Sequence, residues 1–167
     1  MAAAPIVFAY DGSNHSRLAI ERGAELLEAR PAIALTVWES VGSIVFRHDL
    51  PEPFTVARDV VEDLDTSTRA AAERTATEGA ELIRALGFEA QPLPRRAYEE
   101  SRREATTVWQ EVVRVAEEHA AAAVVLGRRG RSGVRSAVLG SVSHGVANHC
   151  SRPVLVVPAD EEGPGDV

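Results

Sequence analysis

The sequence predicts an α/β domain built on one open sheet of five parallel strands, with helices on both faces. Short apolar runs alternate along the chain with longer segments of helical period, which is the pattern of β-α-β units. The last of these runs, around Val124–Leu126 and Val154–Val157, are apolar at every position, as strands buried on both faces of a parallel sheet require. The length of 167 residues fits a single domain.

The first half of the chain divides into three predicted strands and two predicted helices. A β-branched run ends in Asp-Gly-Ser, and Ser13 or Asn14 is placed to cap the helix that follows. Residues 40–58 have no clean period and predict a long loop, while Gly87 is placed to close the second helix. The predicted strands are Ile6–Tyr10, Ile33–Glu39 and Phe88–Leu93, and the predicted helices are Ser16–Ala29 and Val60–Leu86.

The second half begins with a charged connection over residues 94–103 and then resumes the alternation. The predicted helices are Thr106–His119 and Val138–His149, and the predicted strands are Ala122–Gly127 and Pro153–Pro158. The remaining residues, 159–167, are acidic and contain glycine and proline, so we expect a disordered tail. The expected domain therefore covers residues 1–158.

Charge and composition exclude several classes of function. The formal net charge is −7, whereas a nucleic-acid-binding surface needs a basic footprint. All 18 basic residues are arginine, so neither a Walker-type phosphate loop nor a Schiff-base mechanism has its lysine. No apolar run approaches the roughly 20 residues that span a bilayer, and the N-terminus does not resemble a signal peptide. We expect a cytoplasmic protein without membrane or nucleic-acid partners.

The strongest chemical signal follows the fourth predicted strand. Gly127 and Gly130 are separated by two residues, nine more lead to Gly140-Ser141, and a helix is predicted to begin there. Glycines let the backbone approach a ligand closely, and the N–H groups at a helix start favour an anion. Four arginines and no acid lie between residues 127 and 141. The loop therefore indicates a local anion site, although turn glycines and a helix cap would produce the same spacing.

This pattern resembles the G-2x-G-9x-G-[S/T] nucleotide signature of the universal stress protein family. The similarity extends over VVLGRRGRSGVRSAVLGSVSHGVANHCSRPVLVVP near the C-terminus and IVFAYDGSNHSRLAIERGAELL near the N-terminus. The resemblance implies a Rossmann-like fold of the adenine nucleotide hydrolase-like class, bound ATP and Mg²⁺, and a homodimer joined through the last strand. That strand, Val154–Val157, is apolar and expected at a sheet edge, where exposed strands pair.

The resemblance also implies which residues contact the nucleotide. Asp11 follows the first strand, which we expect at the centre of the sheet, so its side chain should face the crevice where strand order reverses. A turn or helix-cap role for Asp11 is the alternative. Ser141 and Ser143 are expected to add hydroxyl donors. The implied nucleotide-binding residues are Ala9, Asp11, Ser13, Val37, Leu126, Gly127, Gly130, Gly140, Ser141, Val142 and Ser143.

Three functions fit these residues. The first is an ATP-binding regulator of the stress response, the second a slow ATPase of the same fold, and the third an interaction module whose glycine loop is structural. His144 lies one helical turn from Ser141 with no orienting acid nearby, so we expect neither a catalytic dyad nor a protein-held metal. Missing lysine and the lack of an evident general base favour binding over turnover.

Overall fold

The computed structural model describes residues 3–40, 58–97, 107–128 and 139–158. These ranges contain alternating strands and helices, and Gly130, residues 41–57, residues 98–106 and the predicted tail 159–167 lie outside them. The strands are β1 (Ile6–Ala9), β2 (Pro31–Trp38), β3 (Glu89–Arg96), β4 (Ala123–Gly127) and β5 (Val154–Val157). The helices are α1 (Asn14–Leu26), α2 (Arg58–Ala85), α3 (Val108–Glu118) and α4 (Ser141–His149).

All five strands are parallel and form one open sheet in the order β3-β2-β1-β4-β5. The predicted fold class and the central position of β1 are therefore confirmed. From β1 the chain builds outward through β2 to β3, and then crosses back to place β4 on the other side of β1. Such a switch of direction opens a crevice at the carboxyl ends of the strands, where ligands of open α/β sheets bind.

Helices cover both faces of the sheet. Helices α1 and α2 pack with the face that carries Phe8, whose ring meets Phe88 edge-on at 5.7 Å between centroids. Helices α3 and α4 pack with the opposite face, which carries Val7 and Val124 and is mainly aliphatic. Within the described ranges, no helix is both long enough and apolar enough to cross a bilayer.

Side-chain and backbone hydrogen bonds fix where the helices begin and end. Ser13 caps α1, because its hydroxyl accepts a hydrogen bond from the Ser16 amide at 3.2 Å. Helix α1 consequently begins at Asn14 and ends at Leu26, earlier at both ends than predicted. Gly87 closes α2 with a φ of +93°, a conformation that favours glycine, and its amide donates to the Arg84 carbonyl.

Two further predicted boundaries were wrong. Pro94, Arg95 and Arg96 belong to β3 rather than to a connection, because an edge strand tolerates proline where its missing N–H would face away from the sheet. Helix α4 begins at Ser141 and not at 138, with Gly140 as the N-cap in an extended conformation. An apolar Val-Leu pair before the glycine extended the helical pattern beyond the actual helix start.

Candidate functional site

A cavity of about 330 Å³ lies at the carboxyl ends of β1, β2 and β4. Its size falls within the range of roughly 300–1,000 Å³ that small-molecule sites occupy. The sheet supplies the floor, and α1, α3 and α4 contribute walls. The described lining residues are Ala9, Tyr10, Asp11, Ser16, Leu35, Val37, Val108, Val112, Leu126, Gly127, Gly140, Ser141, Val142 and Ser143.

One part of the cavity is apolar. Leu35 and Val37 follow each other at alternate positions of β2 and so point to the same face of the sheet. Val108 and Val112, one turn apart on α3, lie across from them. These branched side chains form an apolar compartment, which suits an aromatic ring or another apolar group.

The start of α4 forms the polar part of the cavity. Gly140 has no side chain to bond the first N–H groups of the helix, and these groups have no partner within the helix itself. Together with the helix dipole they favour an anion. The amide of Gly140 donates to the Arg128 carbonyl at 3.0 Å, so the helix start is tied to the residue that follows β4.

Ser143 supports this helix start instead of facing a ligand. Its side chain is buried, and its hydroxyl donates to the Arg128 carbonyl at 2.8 Å, with the Gly140 carbonyl also within 3.0 Å. In this arrangement the hydroxyl is engaged by the protein itself, and the expectation that Ser143 donates to a ligand stays a prediction. Ser141, which is exposed, keeps its side chain at the cavity lining.

Asp11 holds the turn after β1 and also lies in the lining of the cavity. Its carboxylate oxygen Oδ1 accepts hydrogen bonds from the Ser13 amide at 3.0 Å and the Ser13 hydroxyl at 2.6 Å. Gly12 between them has a φ of +80°, which allows this tight turn. Asp11 also lines the cavity, and it carries the one formal charge among the described lining residues. A sugar hydroxyl suits this carboxylate better than a phosphate does.

A buried ionisable group lies beside the apolar compartment. Glu111, next to Val112 in α3, is 1% exposed, and its Oε2 atom has no hydrogen-bond partner. Burial raises the pKa of Glu111, while the positive charges of Arg114 and Arg95 act in the opposite direction and Glu118 adds to the rise. Arg95 stands in register with Val37 and reaches Glu118 at 2.6 Å. The outer wall of the cavity is thus backed by a polar cluster.

The structure brings together most of the residues predicted for the site. Nine of the eleven line the cavity: Ala9, Asp11, Val37, Leu126, Gly127, Gly140, Ser141, Val142 and Ser143. Ser13 is not among the lining residues, and instead holds the turn that follows β1. Gly130 lies outside the described residues, as do Arg129, Arg131 and Arg135 of the predicted basic loop.

Sequence reasoning missed five lining residues: Tyr10, Ser16, Leu35, Val108 and Val112. Leu35 could have been predicted, because residues two apart in a strand share a face and Leu35 is two residues before Val37. Val108 and Val112 appeared in the sequence as an ordinary apolar helix face, and nothing local distinguishes residues that cover a cavity from residues that fill a core. Ser16, which was predicted as the first residue of α1, lies within its first turn and in the lining.

Comparison with solved structures supports the fold. The hypothetical protein MJ0577 superposes with a TM-score of 0.71 at 18% identity, covering 95% of this chain and 98% of that one. A universal stress protein in complex with cAMP gives a TM-score of 0.58 at 22% identity, with coverages of 94% and 98%. The Archaeoglobus fulgidus universal stress protein in complex with dAMP gives 0.57 at 22%, with 94% and 99%. No curated protein matches the chain.

The solved structures show a shared fold, and a family model shows in addition which family the chain belongs to. The model described as the universal stress protein family matches residues 3–158, which include every element of the sheet. Two of the superposed proteins that carry the family's name were solved with adenine nucleotides. This chain belongs to the universal stress protein family.

Proposed function

We propose that the protein is a nucleotide-binding regulator of the stress response that holds ATP with Mg²⁺ in this cavity. The observation that carries the proposal is the meeting of an apolar compartment with a glycine-capped helix start at the switch point of the sheet. An adenine nucleotide needs both, because its base is planar and weakly polar and its phosphates are anionic. The cAMP and dAMP complexes of related proteins support an adenine nucleotide.

The described residues fit such a ligand in one orientation. The base would lie between Val37 and the α3 valines, and the ribose would be close to the Asp11 carboxylate. The phosphates would be held by the N–H groups at Gly140–Ser143, away from that negative charge. Among the described residues, no group of three or more His, Cys, Asp and Glu side chains is arranged to hold a metal. Mg²⁺ would then be bound mainly through the phosphates, whose charge it neutralises.

Binding without rapid turnover suits the chemistry of the lining. Efficient phosphoryl transfer uses several positioned cations and a group that orients the nucleophile. The chain contains no lysine, and the ionisable side chains in the described lining are Asp11 and Tyr10. The Asp11 carboxylate is already engaged by Ser13. A protein of this kind reports nucleotide through its conformation, and slow hydrolysis would be a side reaction.

We further propose a homodimer that forms through β5. This strand lies at an edge of the sheet, is composed of valine and leucine, and keeps three of its four residues partly exposed. An edge strand with unpaired backbone groups and apolar side chains is a template for pairing with a second copy. The cytoplasmic location expected from the sequence stays a prediction.

Thermal unfolding with and without Mg-ATP tests the nucleotide proposal. A ligand at a hundred times its Kd should stabilise the folded chain by about 2.7 kcal/mol, which raises the Tm. Gly140→Val, which adds bulk at the helix cap, and Asp11→Ala should each abolish the shift. Glu28→Ala is the matched control, because its side chain is 94% exposed and outside the cavity lining.

The outcomes separate the three functions. A Tm shift without phosphate release supports the regulator, and a shift with multiple turnovers supports the ATPase. An unchanged Tm with ATP, AMP and cAMP alike would leave an interaction module and reject the proposal. Because Asp11→Ala also removes the turn contacts of Ser13, the ligand-free Tm of each variant is measured beside the shift.

A further inference from the structure

Tyr10 connects the cavity to the opposite face of the sheet. It lines the cavity where β1 ends, yet it is only 2% exposed and belongs to the core cluster formed by α1 and α2. Its backbone is fixed to β2 in both directions: the Tyr10 amide donates to the Leu35 carbonyl at 2.8 Å, and the Thr36 hydroxyl donates to the Tyr10 carbonyl at 2.8 Å. The residue therefore cannot shift without disturbing the strand end.

The phenol of Tyr10 is anchored on helix α2. Its hydroxyl donates to Glu78 Oε1 at 2.7 Å, and the Arg17 guanidinium of α1 lies 2.6 Å from the same oxygen. Burial and the hydrogen bond to Glu78 raise the pKa of Tyr10 to about 12, so the hydroxyl keeps its proton at physiological pH. The contact is a permanent donor-to-carboxylate bond, a stronger type than a bond between two neutral groups.

Helix α2 also holds the ring directly. A Cβ at Gly79 would come within 2.7 Å of Tyr10 Cδ1 and 3.1 Å of Cγ, so the helix backbone lies against the ring with no space between them. The ring is thus held at its edge by Gly79 and at its hydroxyl by Glu78. The next residue in the chain is Asp11, whose carboxylate shapes the turn at the cavity.

We propose that Tyr10 is a positioning residue through which helix α2 sets the nucleotide affinity of the cavity. This inference rests on the proposed function, and adds a regulatory route to it. Glu78 is half-exposed, so a change at the surface of α2 reaches the Asp11 turn through one hydrogen bond and one side chain. By linkage, nucleotide bound at the cavity must also change the behaviour of α2 around Glu78 by the same free energy.

The test compares Tyr10→Phe, Glu78→Ala and Glu78→Gln by the Kd for Mg-ATP and by amide hydrogen exchange without ligand. Tyr10→Phe and Glu78→Ala should each weaken binding measurably, by at most about fivefold, because the coupling cannot exceed what this internal hydrogen bond contributes to stability. Glu78→Gln keeps an acceptor for the phenol and should bind like the wild type, although it loses the exposed pair with Arg17. Exchange should rise at residues 11–16 and stay unchanged in α4.

Several results would overturn the inference. Equal Kd values for wild type and Tyr10→Phe would do so while leaving the proposed function intact. Tyr10 would have only a structural role if Glu78→Gln bound Mg-ATP as weakly as Glu78→Ala does. The same conclusion would follow if hydrogen exchange also became faster in α4. A wild type that binds no adenine nucleotide rejects the proposed function and this inference together. If Tyr10→Phe does not fold, the comparison of Glu78→Ala with Glu78→Gln still tests the inference. Both variants should fold, because the Glu78 side chain is half-exposed.

Discussion

Strand β3 at one edge of the sheet contains Pro92 and Pro94, whereas β5 at the other edge contains only valine and leucine. The Ala97 amide donates to the Trp38 carbonyl, which shows that odd-numbered residues of β3 direct their backbone groups to β2. Both prolines therefore lie at positions whose missing N–H would face outward. The β3 edge is closed to a further strand, and the β5 edge is open.

The same contrast extends to the helices beside each edge. On the β3 side, Arg95 and Arg96 are in the strand, and α3 presents the buried Glu111. On the β5 side, α4 packs through small residues, with Gly145 against the ring of Trp109. The β3 side thus carries two arginines in its edge strand, and on the β5 side a glycine lets α3 and α4 pack closely. The comparison indicates that a further strand could be added at β5 but not at β3, whereas the cavity is lined by β2 and α3 as well as by β4 and α4.

Val156→Pro should have the largest effect, which is on dimerisation. It places a proline in the β5 edge strand, as Pro92 and Pro94 do in the β3 edge strand. The Pro153 and Val157 carbonyls accept hydrogen bonds from β4 and the residue after it, so odd-numbered residues face β4 and Val156 faces outward. Proline there removes an outward N–H without breaking the bonds to β4. We expect a dimer to become a monomer at micromolar concentration, measured by light scattering.

Val156→Thr is the matched control for that variant. Threonine keeps the N–H and the β-branched shape, so the dimer should persist. A wild type that is monomeric at micromolar concentration would contradict the proposed dimer, and a dimeric Val156→Pro protein would place the interface on another surface.

Gly145→Ala tests the tight packing on the apolar side. The new Cβ would lie 2.3 Å from Trp109 Cγ, and the ring cannot move aside freely because it is stacked on His149 at 4.4 Å. Overpacking of this kind costs about 1–3 kcal/mol, which exceeds the roughly 1 kcal/mol that alanine adds to helix propensity. Urea unfolding should show the loss, and the Tm shift with Mg-ATP should shrink because α3 and α4 carry cavity walls.

The double variant Trp109→Leu/Gly145→Ala provides the control. A smaller side chain at 109 makes room for the methyl group, so the double variant should be more stable than the sum of the two single effects predicts. Additive losses would show that the contact between Gly145 and Trp109 does not limit the approach of α3 and α4.

The sequence was sufficient for the fold because the signals that decide it are local and repeated. Apolar runs without a polar face indicated parallel strands, and the Asp11-Gly12-Ser13 turn and Gly87 marked ends that the structure places within a few residues. The errors included both ends of α1, the residues Pro94–Arg96 and the start of α4. Proline is a strand breaker only inside a sheet, and the sequence alone does not show which strand lies at an edge.

The site was predicted in part, for a different reason. A glycine motif and an acid after the first strand can be recognised from their spacing. They predicted residues in the polar part of the cavity lining, including Gly140 and Asp11. The apolar half depends on which helix crosses which strand, so Val108 and Val112 were missed. Ser143 lies in the lining as predicted, but its hydrogen bond to the Arg128 carbonyl could not be predicted, because it depends on a tertiary contact.

Glu111→Gln should have the smallest effect, a change in thermal stability that depends on pH. It tests the buried carboxyl group of α3. Burial raises the pKa of Glu111 above its ordinary value of 4.5, so the folded chain favours the neutral acid. Below pH 4.5 the group is neutral in both folded and unfolded chains and costs nothing. As pH rises further, the unfolded chain ionises first, and the wild type loses stability until the pH passes the pKa of the folded state.

Glutamine is neutral throughout, so Glu111→Gln should lack this loss and melt at a higher temperature than the wild type at pH 8. The advantage should disappear near pH 4, and the exposed neighbour Glu117→Gln should show no such pH-dependent gain. If the wild type is instead the more stable protein at pH 8, Arg114, 3.5 Å from Oε2, and Arg95 outweigh burial. The buried carboxylate would then be a stabilising member of an ion pair with these arginines.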